Sequence, residues 1–486
     1  MYFDVDEQNL EKAGSYRLSQ VDLVSYASPT GGTESFRQDI SNLIQEINIY
    51  EHLESKTLSG DLTLIDATNV ISTLPLTGYE RIEFKLSTPG LGIEKGYDFT
   101  SISGYPMYVY KIGNKAQVNP RAQAYTLHFC SIETIKNEQR RISKAFAGSI
   151  DEFVLEVCRG DLKTKKNLIL ESTKNLTKFV VPRLKPFDSI EMFCENATSK
   201  NFKNAGYRFF ETSLGFNFKS YENMFTKGNG TPRRALANYL PKVKSVRDSR
   251  DNRNILSDLQ SMESFKVISQ FNTLRNLKTG AYASRMVIHD NFNKTFSEND
   301  FDYHLDYIDH HHLESDSRGG KRDDNGVLPY FKFEDNKAFS DFAEGSLHFH
   351  SNTAKVHNDY ELPEQKEIVQ QRISQKTALS SIVVEFEVPG FTGINAGDVV
   401  NLTLPSYSPN KNPLAKDEDP YLSGRYLISG LRHNIGVMAK KHVMVVECIK
   451  DSLNTPYPEE IQDTFTNKET NKGDTYLQYA IDENLG

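Results

Sequence analysis

Glu80-Arg81-Ile82-Glu83-Phe84-Lys85-Leu86 alternates charged and apolar residues without a break. A period of two puts Ile82, Phe84 and Leu86 on one face and the charges on the other, the pattern of a strand with one packed side and one wet side. The same alternation runs outward from this stretch. Ile47 and Ile49 alternate with polar neighbours, and Leu62 and Leu64 do so after Gly60-Asp61. Residues 107–112 and 125–130 read as the two arms of one long hairpin. A short run, Val21-Asp22-Leu23-Val24, and a turn at Pro29-Thr30-Gly31-Gly32 precede them. Strand-like text returns from about Phe265, and short, turn-bounded runs follow at 382–388, 398–404, 426–431 and 442–448. Two all-β regions are therefore expected, one near each end of the chain.

Helical spacing separates them. Ile132, Ile135, Ile142 and Phe146 recur at near-helical intervals, with Lys136, Glu138, Arg140 and Arg141 on the far side. Ser149-Ile150-Asp151-Glu152 has the form of a capping box, which predicts a short helix through Val157. Pro186-Phe187-Asp188-Ser189 opens another helix, running to about Ala197. Tyr207, Phe209 and Glu211 then face Phe216 and Phe218 across Ser213-Leu214-Gly215, so residues from about 150 to 228 read as a small α+β domain.

The bulk composition narrows the function. In 486 residues, 38% are hydrophobic and 25% charged, a globular balance in a chain long enough for several domains. Aromatic residues make up 11%, all Tyr and Phe, and their alternating placement favours strands. A net charge of −8 gives no overall basic face for gripping nucleic acid. No run of 18 apolar residues and no signal-like N-terminus is present, so a cytoplasm-like place of assembly is expected. Cys130, Cys158, Cys194 and Cys448 lie far apart beside apolar neighbours, without a Cys-x-x-Cys pair, and read as buried small hydrophobes rather than a disulfide or metal set.

Three stretches resist this scheme. Residues 232–253 carry seven Lys/Arg against two Asp and read as a solvated linker or as a contact for an acidic neighbour. Residues 300–365 form a polar insertion rich in His and Asp, including Arg318-Gly319-Gly320-Lys321-Arg322-Asp323-Asp324-Asn325-Gly326. From Asp451 the tail is acidic, with eight Asp/Glu against two Lys.

No nucleotide-binding loop, nucleophile elbow or zinc-protease helix appears, and Gly228-Asn229-Gly230 lacks a third glycine. The cluster His304-Leu305-Asp306, Asp309-His310-His311-His312 and Glu314 has metal-ligating side chains. Three adjacent histidines point to different faces, however, so a solvated loop or subunit contact is the expectation, ahead of an ion site. Glu459-Glu460 and Asp323-Asp324 are adjacent surface pairs, not acid/base partners facing across a substrate. No catalytic, cofactor-binding or metal-binding residue is assigned, and no enzyme is expected.

Residues 108–130 and 426–448 have equal length, open on an aromatic-led strand, and end on an apolar strand closing in Cys. Either they are copies of one unit or two unrelated hairpins; both readings stay open at this point.

Ile49-Tyr50-Glu51, with Leu58-Ser59-Gly60-Asp61-Leu62-Thr63-Leu64-Ile65-Asp66 and Leu74-Pro75-Leu76-Thr77-Gly78-Tyr79-Glu80-Arg81-Ile82-Glu83-Phe84, resembles the first strands of the central hub protein of a T4-type phage baseplate. Phe179-Val180-Val181-Pro182, Pro186-Phe187-Asp188 and Tyr207-Arg208-Phe209-Phe210-Glu211-Thr212 with Gly215-Phe216 resemble its inserted α+β domain. Gly397-Asp398-Val399-Val400, Leu422-Ser423-Gly424-Arg425-Tyr426-Leu427-Ile428 and His433 resemble its last β unit. The order of these motifs over residues 40–450 carries the resemblance.

The resemblance implies a mainly β fold with an α+β insert, made of two tube-like antiparallel β-barrel or sandwich domains, a small α+β domain and a polar insertion. The expected divisions are 1–148 (N-terminal segment and first tube-like domain), 149–230 (α+β), 231–299 (linker and start of the second tube-like domain), 300–365 (insertion), 366–452 (rest of the second domain) and 453–486 (acidic tail). It further implies a homotrimeric virion protein forming a pseudo-sixfold ring between the sixfold tail tube and the threefold central spike. Baseplate wedge proteins would surround it, and DNA would pass its lumen as cargo. The 300–365 insertion and the acidic C-terminus depart from the family pattern. Two rival readings are a glycan- or cell-wall-degrading tail enzyme using the His/Asp insertion, and a wedge component of the baseplate.

Overall fold

The computed structural model describes residues 12–25, 36–68, 70–73, 76–89, 96–174, 176–202, 205–242, 255–290, 293–306, 310–314, 326–328, 332, 336–351, 365–406 and 418–455. The Pro29–Gly32 turn, most of the 318–326 run, Asp309, Glu459-Glu460, residues 243–253 and the tail from 456 lie outside them. Among the described residues the chain is mainly β, and no helix is long and apolar enough to cross a membrane.

The first β unit is built on five strands, β1 (Ile44–His52), β2 (Ser59–Asp66), β3 (Arg81–Glu83), β4 (Met107–Asn119) and β5 (Ala122–Ser131), and beyond β3 its sheet continues with Asp22–Ser25 and Phe36–Asp39. All neighbours are antiparallel, and the order in space is β1-β2-β5-β4-β3. Alternation fixes which faces are packed. Ile47, Ile49, Leu62, Leu64, Ile82, Val109, Leu127 and Phe129 lie at or below 1% exposure and form one core. The opening motif divides at Phe84 into two short strands, yet Ile82, Phe84 and Leu86 all stay buried.

The second unit has β6 (Ser264–Ser269), β7 (Ile382–Pro389), β8 (Val399–Leu402), β9 (Gly424–Gly436) and β10 (Lys441–Lys450). Among these five every neighbour is antiparallel, in the order β6-β7-β10-β9-β8, and beyond β8 the sheet continues with Asn238–Pro241 in parallel. Numbered from its own first strand, each unit therefore runs 1-2-5-4-3. The correspondence extends to an irregularity. Between Phe129↔Val109 and His128↔Lys111 the hairpin of the first unit carries one extra residue, Tyr110. Between Cys448↔Ile428 and Glu447↔Gly430 the hairpin of the second carries Ser429. A bulge inserts one residue and sharpens the local twist, so both sheets bend at the same rung.

This alignment corrects the sequence echo by one residue. The partner of Cys448 is Phe129, since both face the cores, whereas Cys130 lies outside the core cluster of its unit. A one-residue slip in a strand exchanges its faces, so the gapless match of 108–130 with 426–448 is out of phase. The two units are repeats in topology, and their shared rung is set by the bulge.

Ile142–Ser149 is a strand paired with Leu176–Leu184, not a continuation of the helix Ile132–Gln139. Ile142 and Phe146 are four apart, a spacing that serves a helix turn and a strand face alike, and pairing with a distant strand decides between them. The α+β domain thus begins several residues before 149. Its helices Ile150–Glu156 and Pro186–Asn196 form as expected, the first with the Ser149 N–H donating to the Glu152 carboxylate at 3.2 Å. Tyr207–Thr212 and Gly215–Ser220 make the expected hairpin, with Phe209 stacked on Phe216.

The insertion is wider than 300–365. Ala283–Asp290, Thr295–Asp302 and Leu347–Ser351 form a separate three-stranded sheet, so before the interruption the sheet of the second β unit holds, among the described residues, only Asn238–Pro241, Ser261–Met262 and β6. Ala283–Asp290 reads like any other strand, and only its partners tell which sheet it joins. All four cysteines are free and buried, as expected. Burial pushes the thiols up, Cys130 to about 11 and Cys158 and Cys194 to about 12, which leaves them unreactive.

Candidate functional site: the joint between the two β units

One strand belongs to both units. The first part of β9 pairs with β8 (Leu427↔Val399 to Gly424↔Leu402), and its second part pairs antiparallel with β1 (Gly430↔His52 to Gly436↔Glu46). Ile435 completes the joint from inside: it sits in the core of the first unit at 0% exposure although its strand belongs to the second.

The outward side of the joint is polar. Arg432 donates to Asn48 at 3.0 Å and lies over the Tyr50 ring, 6.0 Å from its centre. Asn434 donates to Asn48 at 3.0 Å and also to Glu46. Tyr50 donates to Asp61 at 2.8 Å, and burial together with that bond pushes its phenol up to about 12.

The inward side holds two buried imidazoles, His433 and His442, whose Nδ1 and Nε2 atoms are 3.0 Å apart. Burial pulls His433 down to about 4, and burial plus the neighbouring imidazole pull His442 well below its usual value. The pair is neutral at neutral pH, so one ring donates to the other. Tyr97 packs edge-on against His433 at 5.3 Å.

Glu51 ties three parts of the chain together. It lies at 2% exposure on the inward face of β1. Its carboxylate accepts from Tyr97 Oη (2.7 Å) in the first unit, Ser213 N (3.0 Å) in the α+β hairpin and Ala396 N (3.0 Å) beside β8. Burial pushes its pKa up to about 7 against those three bonds. A second buried set fixes the α+β domain. Lys166 bridges Glu133 (2.9 Å) and Glu211 (2.5 Å), and Glu211 also accepts from Leu58 N and Ser131 Oγ. Burial pulls the Lys166 ammonium down, but the two carboxylates outweigh it and hold it above its ordinary range.

Neither set was singled out from the sequence for a role, although a signal existed. Ile47, Ile49 and Glu51 share one face by alternation, and a carboxylate that continues an apolar series marks a buried acid needing partners.

Two residues of the histidine cluster, for which a solvated loop or a subunit contact is expected, are buried within the chain. His304 is at 2% exposure and His312 at 9%. His312 Nδ1 meets Asp451 at 2.9 Å, the His311 N–H donates to Glu222 at 2.8 Å, and Glu314 receives Lys450 at 3.3 Å. Residues 310–314 therefore act as a splint between the α+β domain and the end of β10, because the carboxylates of both neighbours face them.

The His311 ring packs edge-on against Phe202. Among the described residues no group of three or more His, Cys, Asp or Glu is placed to hold a metal. The cavity lined by His310, His312 and Asp451 has about 30 Å³, room for roughly one water and not for a sugar. A larger cleft of about 320 Å³ contains Glu54 and Glu191, but each is paired with cations, Glu54 with Lys376 at 2.9 Å and Glu191 with Lys56 and Arg208. That arrangement is an ion-pair network and not an acid/base pair.

No family model matches the sequence, and no curated protein matches it. Solved structures similar to it include the tail protein from Neisseria meningitidis MC58, 9% identical with a TM-score of 0.47 over 90% of this chain and 97% of that one. The prophage MuSo2 tail protein from Shewanella oneidensis is 10% identical, with a TM-score of 0.46 over 89% and 98%. A prophage tail protein from Listeria monocytogenes EGD-e is 9% identical, with a TM-score of 0.40 over 89% and 94%.

Proposed function

We propose that this chain is a structural, non-enzymatic hub subunit of a contractile phage tail. Three copies carry six β units, which arranged about one axis form a pseudo-sixfold ring. The ring adapts the sixfold tail tube to the threefold central spike and leaves a lumen for DNA. The carrying observation is the repetition itself: two five-stranded units of one order, with one shared bulge, already joined edge to edge within the chain. Head-to-tail repetition of a single joint closes into a ring when its rotation divides the circle.

On this reading the partners are two further copies, the tail tube protein, the spike and the surrounding wedge proteins, with DNA as passing cargo. The protein is assembled in the host cytoplasm into the virion and needs no membrane anchor. Obligate contacts of this kind bury about 2,000 Å² or more. Sedimentation of the purified chain combined with low-resolution imaging tests it. Three chains in a ring of six similar densities around a hole are expected. A stable monomer at micromolar concentration, or six copies per particle as for a wedge, overturns it.

A further inference from the structure

We propose that the open edge of β4 around Lys111–Gly113 is completed by the open edge at the end of β6, around Ser269–Phe271, of a second copy of this chain, repeating between chains the joint that β9 and β1 make within one. The inference rests on the ring reading and adds to it which two edges meet and in what register.

The shared strand order makes β4 the counterpart of β9, and β6 the counterpart of β1. The pairings around the bulge make Ile112 the counterpart of Leu431, since each sits opposite the core residue next along its hairpin, Leu127 or Val446. Where β1 covers the edge, Leu431 is 3% exposed; Ile112 is 36% exposed. On the other side, Phe265 and Val267 occupy the positions of Ile47 and Ile49, because each pair lies opposite equivalent core residues of β2 and β7. Ile47 and Ile49 are at 0%, whereas Phe265 and Val267 remain half-buried. Both edges carry core positions that their own unit leaves unfinished.

The backbone agrees. Outward pairing of β4 ends with Tyr108↔Arg81 and the Val109 N–H to Glu80, and among the described residues β6 pairs only with β7. Exposed apolar side chains line each edge: Tyr110, Ile112 and Val118 along β4, and Ile268, Phe271 and Leu274 along and just after β6. An edge of this length left open invites uncontrolled pairing, and a second copy supplies the fitting edge.

β6 carries one extra residue, Ile268, between Val267↔Val384 and Ser269↔Val383, which makes Ser269 the counterpart of Tyr50. Carrying over Gly430↔His52, Leu431↔Glu51 and Arg432↔Tyr50 then gives Lys111 opposite Phe271, Ile112 opposite Gln270 and Gly113 opposite Ser269, antiparallel. At Asn114, whose φ is 51°, the register of β4 shifts and the copy of the joint ends.

A Lys111→Cys/Phe271→Cys variant tests the pairing, because both side chains are exposed in the single chain. Under mild oxidation the assembled protein is expected to give a covalent species of three chains on a denaturing gel, while each single variant gives none. An assembled trimer without cross-links overturns the pairing and leaves the ring reading standing. A cross-linked ladder beyond three chains upholds the pairing and overturns the ring. A monomer overturns both. Ile268→Asp serves as an independent check: the fold by circular dichroism is expected to be unchanged and association at least tenfold weaker. Unchanged association overturns the pairing.

Discussion

Replacing Glu51 with glutamine separates the charge of the three-way clamp from its shape. Burial lifts the carboxyl from an ordinary 4.5 to about 7. The folded protein holds this proton more tightly than the unfolded chain, so the stability linked to it is fully present below about pH 4.5 and is lost as pH rises through about 7. Each pH unit of displacement corresponds to about 1.4 kcal/mol, which makes the loss about 3 kcal/mol across that window. Asp398, itself lifted by burial to about 6, adds repulsion as both ionise.

Glutamine keeps an acceptor for Tyr97 and Ser213 but turns an N–H toward the Ala396 N–H, costing about 1–3 kcal/mol at every pH. Urea unfolding of both proteins between about pH 5 and pH 8 reads the difference. Glu51→Gln is expected to be the less stable at the acid end, with the gap narrowing or reversing by about 2–3 kcal/mol toward the alkaline end. A gap that stays constant with pH would mean that Glu51 ionises normally, and the reasoning would be refuted.

Lys166→Met leaves Glu133 and Glu211 buried without their cation and is expected to cost about 3–5 kcal/mol in thermal unfolding. Burial raises the Glu211 carboxyl, so the deficit should shrink as pH falls and that group takes up a proton; a deficit independent of pH argues against the triad. Ile435→Ala removes a side chain that one unit lends to the core of the other, at about 2–5 kcal/mol. Hydrogen exchange along residues 46–52 should speed up, and unchanged protection there would show that the joint does not depend on it.

Alternation made most strands readable: Ile82, Phe84 and Leu86 are buried as their spacing requires, and the capping box and Pro186 placed two helices. What alternation lacks is partner choice. Ile142–Ser149 and Ala283–Asp290 are plain strands by pattern, and only pairing with Leu176–Leu184 or with Thr295–Asp302 says which sheet owns them. The repeat was visible as a likeness of two hairpins but misread by one residue, because Cys130 and Cys448 match in type while facing opposite ways. The histidine run signalled chemistry through residue type alone. Its burial depends on Glu222 and Asp451, which lie far off in sequence.

The α+β domain follows the fifth strand of the first unit, and the extra sheet interrupts the second unit between its first and second strands. Each decoration is therefore present once per chain, on one unit and not on its twin. If three copies assemble as proposed, the ring would show different multiplicities to different observers: a neighbour docking on bare strand ends would count six footholds, and one docking on a decoration would count three. Moving either decoration to the other unit would keep the tally but turn the threefold pattern by one place relative to everything built on it.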